Sequence, residues 1–210
     1  MAHAAHQNEQ TMDLDLKGKS IVVTGGGWNI GRAIVKGFAA EGANITIADL
    51  DIAQAEATAA EANSDGASGC QAVKTDVTDL DQVRAMFASV VKAFGTVDVL
   101  ANNAGWDKLM SFTQTDPDFW RKIMNCELRR QSQLHEDRAG SDDSEKVGRD
   151  RFHQLRCEPR EAVYGGMKAA VNSFMKTIAK ENGRYGIRCN VVCPGVTIPP
   201  NQSDVGSTSM

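Results

Sequence analysis

The sequence contains no run approaching the ~20 apolar residues that a membrane-spanning helix requires. It carries no excess of positive charge: 23 Lys and Arg stand against 27 Asp and Glu, a formal net charge of −4. That balance gives no reason to expect nucleic acid or a membrane surface as a partner. The first residues lack the apolar core of a secretory leader. Residues 1–13 are polar and are expected to form a disordered tail, with Met12 an alternative start. Histidine is scarce, and two of the four, His3 and His6, fall in that tail. Cys189-x3-Cys193 has no accompanying His or second Cys pair, so no metal site is expected there. Cys70, Cys126, Cys189 and Cys193 lie in or beside apolar segments, which fits thiols packed in a reducing, cytoplasmic setting. What is left is a chain of 210 residues, long enough for a single domain with a real core.

The stretch that organises it is Lys19–Ala33, read as a short apolar strand, a glycine-rich turn (Gly25, Gly26, Gly27) and the start of a helix with Asn29, Ile30 and Gly31. The first N–H groups of a helix have no internal partners, and the helix dipole turns its positive end toward them. Small residues let a pyrophosphate approach, so strand, turn and helix together form a phosphate site. Asp49 follows 18 residues after Gly31, at the end of the next strand, near the separation at which a carboxylate binds an adenosine ribose. A carboxylate there hydrogen-bonds a ribose diol and repels a 2′-phosphate, which selects NAD over NADP; Leu50 is its neighbour.

Apolar periodicity extends the pattern. A helix is expected through Ile30, Ala33, Ile34, Phe38 and Ala39, ended by Gly42. Strand Ile45–Ala48 follows, then an alanine-rich helix Asp51–Glu61, then strand Cys70–Thr75 with Asp76 and Val77 at its edge. Asp79 opens a helix with Val83, Met86, Phe87, Val90 and Val91 on one face. Val97–Ala101 is an unbroken apolar run suited to a central parallel strand. Alternation of β and α at this pitch gives a doubly wound parallel sheet, with ligands at the carboxyl ends of its strands.

Four motifs in order are similar to those of the short-chain dehydrogenase/reductase family: Thr24-Gly25-x-x-x-Asn29-x-Gly31, Asn102-Asn103-Ala104-Gly105, Tyr164-x-x-x-Lys168, and Pro194-Gly195 after a strand Arg188–Val192. Asn102–Asp107 and Glu161–Tyr164 further resemble 2-hydroxycyclohexanecarboxyl-CoA dehydrogenases. The resemblance implies a Rossmann-type fold, NAD as cofactor, and interconversion of a secondary alcohol and a ketone. It implies Tyr164 as the acid/base, supported by Lys168 and by Asn125, the residue aligned with the family asparagine that holds a relay water. It implies cofactor contacts from Gly25, Asn29, Ile30, Gly31, Asp49, Leu50, Asp76, Val77, Asn103, Ala104, Gly105, Tyr164, Lys168, Pro194, Gly195 and Thr197. It implies a small-molecule substrate and a homotetramer or dimer if the reading frame is intact. Two positions depart from the pattern. Asn29 replaces a glycine, and asparagine tolerates positive φ better than other side chains. Pro199 stands where many members have a threonine, and Thr197 is the substitute.

The family's substrate-binding serine, expected about a dozen residues before Tyr164, is not recognisable. From Leu128 to Arg160, 7 of 33 residues are apolar and 15 are charged, so no strand pattern appears where a central strand belongs. One reading is a charged insertion. The reading preferred here is translation out of frame. With suitable codons, a one-nucleotide shift over Arg129–Leu134 yields Gly-Val-Asn-Leu-Asn-Phe. The same shift over Val147–Leu155 yields Ser-Gly-Gly-Ile-Val-Ser-Ile-Ser-Ser, a family-like strand ending in serines. On either reading Arg149-Asp150-Arg151 is a poor central strand, and residues 128–160 are expected to be irregular or a solvated helix, with the sheet gapped there or closed by some other segment. Residues 14–200 then form the single domain, its fifth strand disrupted, and 201–210 a truncated tail lacking the family's C-terminal strand. Three functions follow: an NAD-dependent alcohol dehydrogenase, a catalytically dead nucleotide-binding protein, or the non-functional product of a damaged gene.

Overall fold

A computed structural model of the chain describes residues 13–129, 149–151 and 160–194. The first half follows the expected alternation. Strand β1 is Ser20–Thr24, helix α1 Asn29–Ala40, β2 Asn44–Asp49, α2 Ile52–Ser64, β3 Gly69–Lys74, α3 Leu80–Phe94 and β4 Val99–Asn102. A 3-10 turn at Phe112–Gln114 leads to α4, Pro117–Met124, which passes into one π-helical turn, Asn125–Arg129. Strand β5 is Arg149–Arg151, helix α5 is Ala162–Asn182, and β6 is Arg188–Cys189.

The sheet order is β3-β2-β1-β4-β5-β6, with every neighbouring pair parallel. The chain reverses its direction of winding between β1 and β4, the position where this topology opens a crevice for a ligand. Alternation along β1 supplies both faces of the core. Ile21 and Val23 pack with Val35, Ala39, Ile45, Ile47, Ala55 and Ala59 under α1 and α2. Val22 packs with Val83, Met86, Phe87, Val90 and Leu100 under α3. The helix faces differ from expectation in detail. In α1 the buried anchors are Val35 and Ala39 while Ala33 is exposed, and in α3 Val91 points outward.

Helix ends follow local chemistry. Asp79 caps α3 by accepting from the backbone N–H groups of Gln82 and Asp81, and the bond from Gln82 leads the causes that lower its carboxyl pKa. Gly42 takes a φ of +70 just beyond α1.

The expectation for strand five requires correction. Arg149–Arg151 does enter the sheet, in register with Val99–Ala101 on one side and with Arg188–Cys189 on the other. The reason is that a sheet is held by backbone N–H and C=O groups, which every residue carries here. A slot flanked by two strands satisfies those groups whatever the side chains are. The departure from a strong strand survives as length: β5 has 3 residues where β1 has 5 and β2 has 6.

Candidate active site

The carboxyl ends of β1, β2 and β4 surround a cleft of about 420 Å³. Gly25, Asn29, Ile30 and Gly31 line it from the β1–α1 turn, Asp49 and Leu50 from the end of β2, Val77 from the end of β3, and Asn103, Ala104 and Gly105 from the end of β4. Trp28, Ala48 and Thr75 join them.

The turn can take this shape because Gly25 has a φ of +64 and Asn29 one of +43. A Cβ on Gly25 would come 2.8 Å from the Ala104 Cα, and one on Gly31 would overlap the Gly25 backbone. Helix α1 begins after Trp28 with no side-chain cap and no acid in its first turn, so its dipole end opens into the cleft. Thr24 ties the two walls together: its hydroxyl accepts from the backbone N–H of Asn103 at 3.0 Å and of Ala104 at 3.1 Å. The Asn103 amide donates to the carbonyl oxygens of Thr24 and Gly25 at 3.2 and 3.0 Å. Asp49 is fixed from both sides, its Oδ2 accepting from Gly27 N–H at 2.9 Å and its Oδ1 from Asp51 N–H at 3.1 Å.

Asp76 is used differently. Its Oδ1 accepts from the backbone and hydroxyl of Thr78, bracing the turn after β3. Pro194 is half-buried, while Gly195 and Thr197 lie outside the described residues.

Tyr164 and Lys168 stand one turn apart on α5, as their spacing demands. The Lys168 ammonium lies 4.9 Å from the centre of the Tyr164 ring. Tyr164 also lines a smaller pocket with Asp107, Phe112, Phe119, Arg160 and Glu161. Aromatic contacts stiffen that side: Trp106 meets Phe119 edge-on and Phe112 stacks on Trp120. Burial pushes the Asp107 carboxyl up, with the Glu127 charge adding to the rise while a backbone hydrogen bond from Lys108 and the Lys168 charge oppose it.

Asn125 is not brought to this pair. It is exposed, at the junction of α4 and the π turn. The residue that reaches Lys168 is Glu127, fully buried, with Oε2 2.6 Å from the ammonium. Its Oε1 accepts from Trp106 N–H at 3.3 Å and crowds Gly105, where a Cβ would come within 2.9 Å. Removing one partner of a buried ion pair costs about 3–5 kcal/mol. The sequence held a signal for Glu127: it stands four residues after Ile123, the buried residue of α4, on the inward face of a continuing helix.

A family profile described as enoyl-(acyl carrier protein) reductase matches residues 26–209, running across the charged segment. The chain belongs to the short-chain dehydrogenase/reductase family. Among curated relatives of this oxidoreductase family, it is 30% identical over 199 residues to a 3beta-hydroxysteroid dehydrogenase 2 of Eggerthella lenta, covering 91% of this chain and 74% of that one. It is 32% identical over 192 residues to an acetoacetyl-CoA reductase of Synechocystis, covering 88% and 74%. Among solved structures, an NAD+-bound xylitol dehydrogenase matches with a TM-score of 0.82 at 27% identity, covering 88% of this chain and 72% of that one. These dehydrogenase and reductase relatives carry the motifs' Rossmann reading to the level of the whole fold.

Among the described residues no group of three or more His, Cys, Asp or Glu could hold a metal ion. No helix among them is long and apolar enough to cross a membrane.

Proposed function

We propose that this short-chain dehydrogenase/reductase uses NAD to interconvert a secondary alcohol and a ketone, with Tyr164 as acid/base and Lys168 as its support. The observation that carries the reading is the placement of the Tyr164–Lys168 pair, on one face of α5, in a domain whose cleft has the walls a dinucleotide needs. The fit rests on three features: a turn with no room for a Cβ, an uncapped helix start, and a carboxylate held at the far end of the cleft. Gly25, Asn29, Ile30 and Gly31 would face the pyrophosphate, Asp49 and Leu50 the adenosine ribose, and Asn103, Ala104 and Gly105 the middle of the cofactor. When bound, NAD supplies the acceptor for hydride.

The protein's part is proton handling. Tyrosine ionises near pH 10 in water, and each unit of lowering takes about 1.4 kcal/mol. An ammonium near the ring favours the tyrosinate and so lowers the pH at which Tyr164 can take a proton from an alcohol. The substrate's identity stays at the level of a small alcohol or ketone, with an alicyclic hydroxyacyl-CoA the more specific suggestion from the Asn102–Asp107 and Glu161–Tyr164 resemblance. A cytoplasmic location and a family-like dimer or tetramer belong to the same proposal.

A second reading is favoured by β5. Arg149–Arg151 is short, and no serine lies between it and Tyr164. On that reading the chain binds the nucleotide and turns nothing over, and residues 128–160 are out of frame. The test is an absorbance assay at the NADH band with a panel of secondary alcohols, run beside thermal melting with and without NAD. The dehydrogenase reading expects both turnover and stabilisation. Stabilisation alone supports the nucleotide-binding reading, and neither supports a non-functional product. The nucleotide sequence across codons 126–161 decides the frame.

Cofactor preference gives an independent expectation. The Asp49→Ser, Leu50→Arg double variant removes the carboxylate and adds a cation for a 2′-phosphate. We expect the ratio of NADPH to NADH affinity to rise at least tenfold, about 1.4 kcal/mol. If the unaltered chain already binds NADPH as tightly as NADH, the role given to Asp49 is wrong.

A further inference from the structure

The least exposed charges in the described core belong to one pair. Glu127 has no solvent exposure and the Lys168 side chain retains 6%. They come from distant parts of the chain, the π turn after α4 and the middle of α5. Nothing in the acid/base role of Tyr164 requires a carboxylate at this place.

We propose that Glu127 is the positioning residue of the site: its carboxylate holds the Lys168 ammonium in its charged form and against Tyr164. The proposal rests on the reading of Tyr164 and Lys168 as the proton-handling pair, and deepens it.

The geometry supports three steps. Oε2 stands 2.6 Å from the Lys168 nitrogen, the short separation of a charge-assisted bond. Oε1 is held by Trp106 N–H, in the connection after β4. Glu127 therefore links the cleft wall at Gly105–Trp106 to α5 through the lysine. A buried lysine without a counter-charge gives up its proton several pH units below its ordinary range, because burial disfavours the ammonium. A neutral amine exerts no charge on Tyr164. By favouring the ammonium form, Glu127 thus strengthens the support that Lys168 gives Tyr164.

Other ionisable groups lie on the elements packed around the pair. Asp107, on the connection after β4, is near enough to feel both charges, and burial raises its carboxyl above the ordinary carboxylate range. Lys122 on α4 sits over the Trp106 ring, 3.6 Å from its centre. Arg160 and Glu161, at the start of α5, line the Tyr164 pocket. Arg188 on β6 is exposed.

The experiment follows the side-chain carbon next to the lysine nitrogen by NMR, in the full chain with 13C-labelled lysine, as pH is raised. Lys168→Met assigns the signal. In the unaltered chain the Lys168 signal is expected to keep its ammonium position to about pH 10. In Glu127→Gln, which keeps the shape and loses the charge, the transition is expected to fall by about two pH units or more. An unchanged transition in that variant overturns the proposal. So does an unaltered chain whose Lys168 already titrates in the lower range. If Glu127→Gln does not fold, the Glu127→Gln, Lys168→Met double variant, which removes both charges, is expected to recover folding. Failure to recover it also overturns the proposal. The titration needs no substrate and no turnover, so it stands or falls separately from the assay with NAD.

Discussion

Tyr164→Phe is expected to lower turnover by about 10²- to 10⁴-fold, the range by which a positioned acid or base accelerates a reaction. The substitution deletes one hydroxyl from a half-buried side chain whose ring already rests near the Lys168 ammonium. Residue 164 is not among the buried side chains of α5, which are Lys168, Val171 and Met175. The melting temperature is therefore expected to change little. Stabilisation by NAD is also expected to persist, because the phosphate and ribose walls are built from the β1–α1 turn and Asp49. A loss in kcat with NAD affinity retained is the signature of a group acting on the reacting atoms. The measurement requires a form of the chain with measurable activity, and comparable turnover in the variant would remove Tyr164 from the mechanism.

Much of this was legible before the structure, for a physical reason. From Leu14 to Asn103 each element is specified locally: β-branched runs make strands, Asp79 and Gly42 bound helices, and the glycine-rich turn can take the positive φ that the tight strand-to-helix connection needs. Asn29 was expected to tolerate positive φ, and it does. The cleft residues expected from Gly25 to Gly105 line one cavity, save Asp76, whose carboxylate is occupied by Thr78. Local signals ran out where the chain loses its apolar pattern. Strand β5 was missed because pairing by backbone groups leaves no trace in side-chain periodicity when the strand has three residues.

Asn125 and Glu127 lie two residues apart and differ fully in exposure. The asparagine was assigned from its alignment with a family residue. Side chains fan out around a helix axis, so two positions separate an exposed side chain from a buried one. Ile123 marks the inward face, and Glu127, one turn on, inherits it. The partner of its carboxylate, Lys168, lies 41 residues away, a pairing that no local pattern announces.

Gly31→Ala is the second large effect expected, and one helix provides its control. A Cβ at residue 31 would meet the carbonyl group of Gly25 and, at 2.6 Å, the Asn103 amide nitrogen. These are a backbone wall and a side chain already bound to that wall at 3.0 Å, so neither can swing aside. Helix α1 must shift away from the turn. Overpacking of this kind costs about 1–3 kcal/mol, or several degrees of melting temperature for a chain of this size. The larger loss is in binding. A shifted α1 withdraws its first N–H groups from the cleft, and the stabilisation that a saturating ligand confers, about 2.7 kcal/mol at a hundredfold excess over Kd, is expected to vanish. Gly37 lies on the same helix with nothing within 4 Å of its would-be Cβ. There the same substitution is expected to stabilise by about 0.5–1 kcal/mol, because alanine is the better helix former, and to leave the response to NAD intact. Thermal melting of both variants, with and without NAD, separates a site from a helix. If Gly31→Ala keeps the full response, the glycine-rich turn is an ordinary turn and the cleft is not where the cofactor binds.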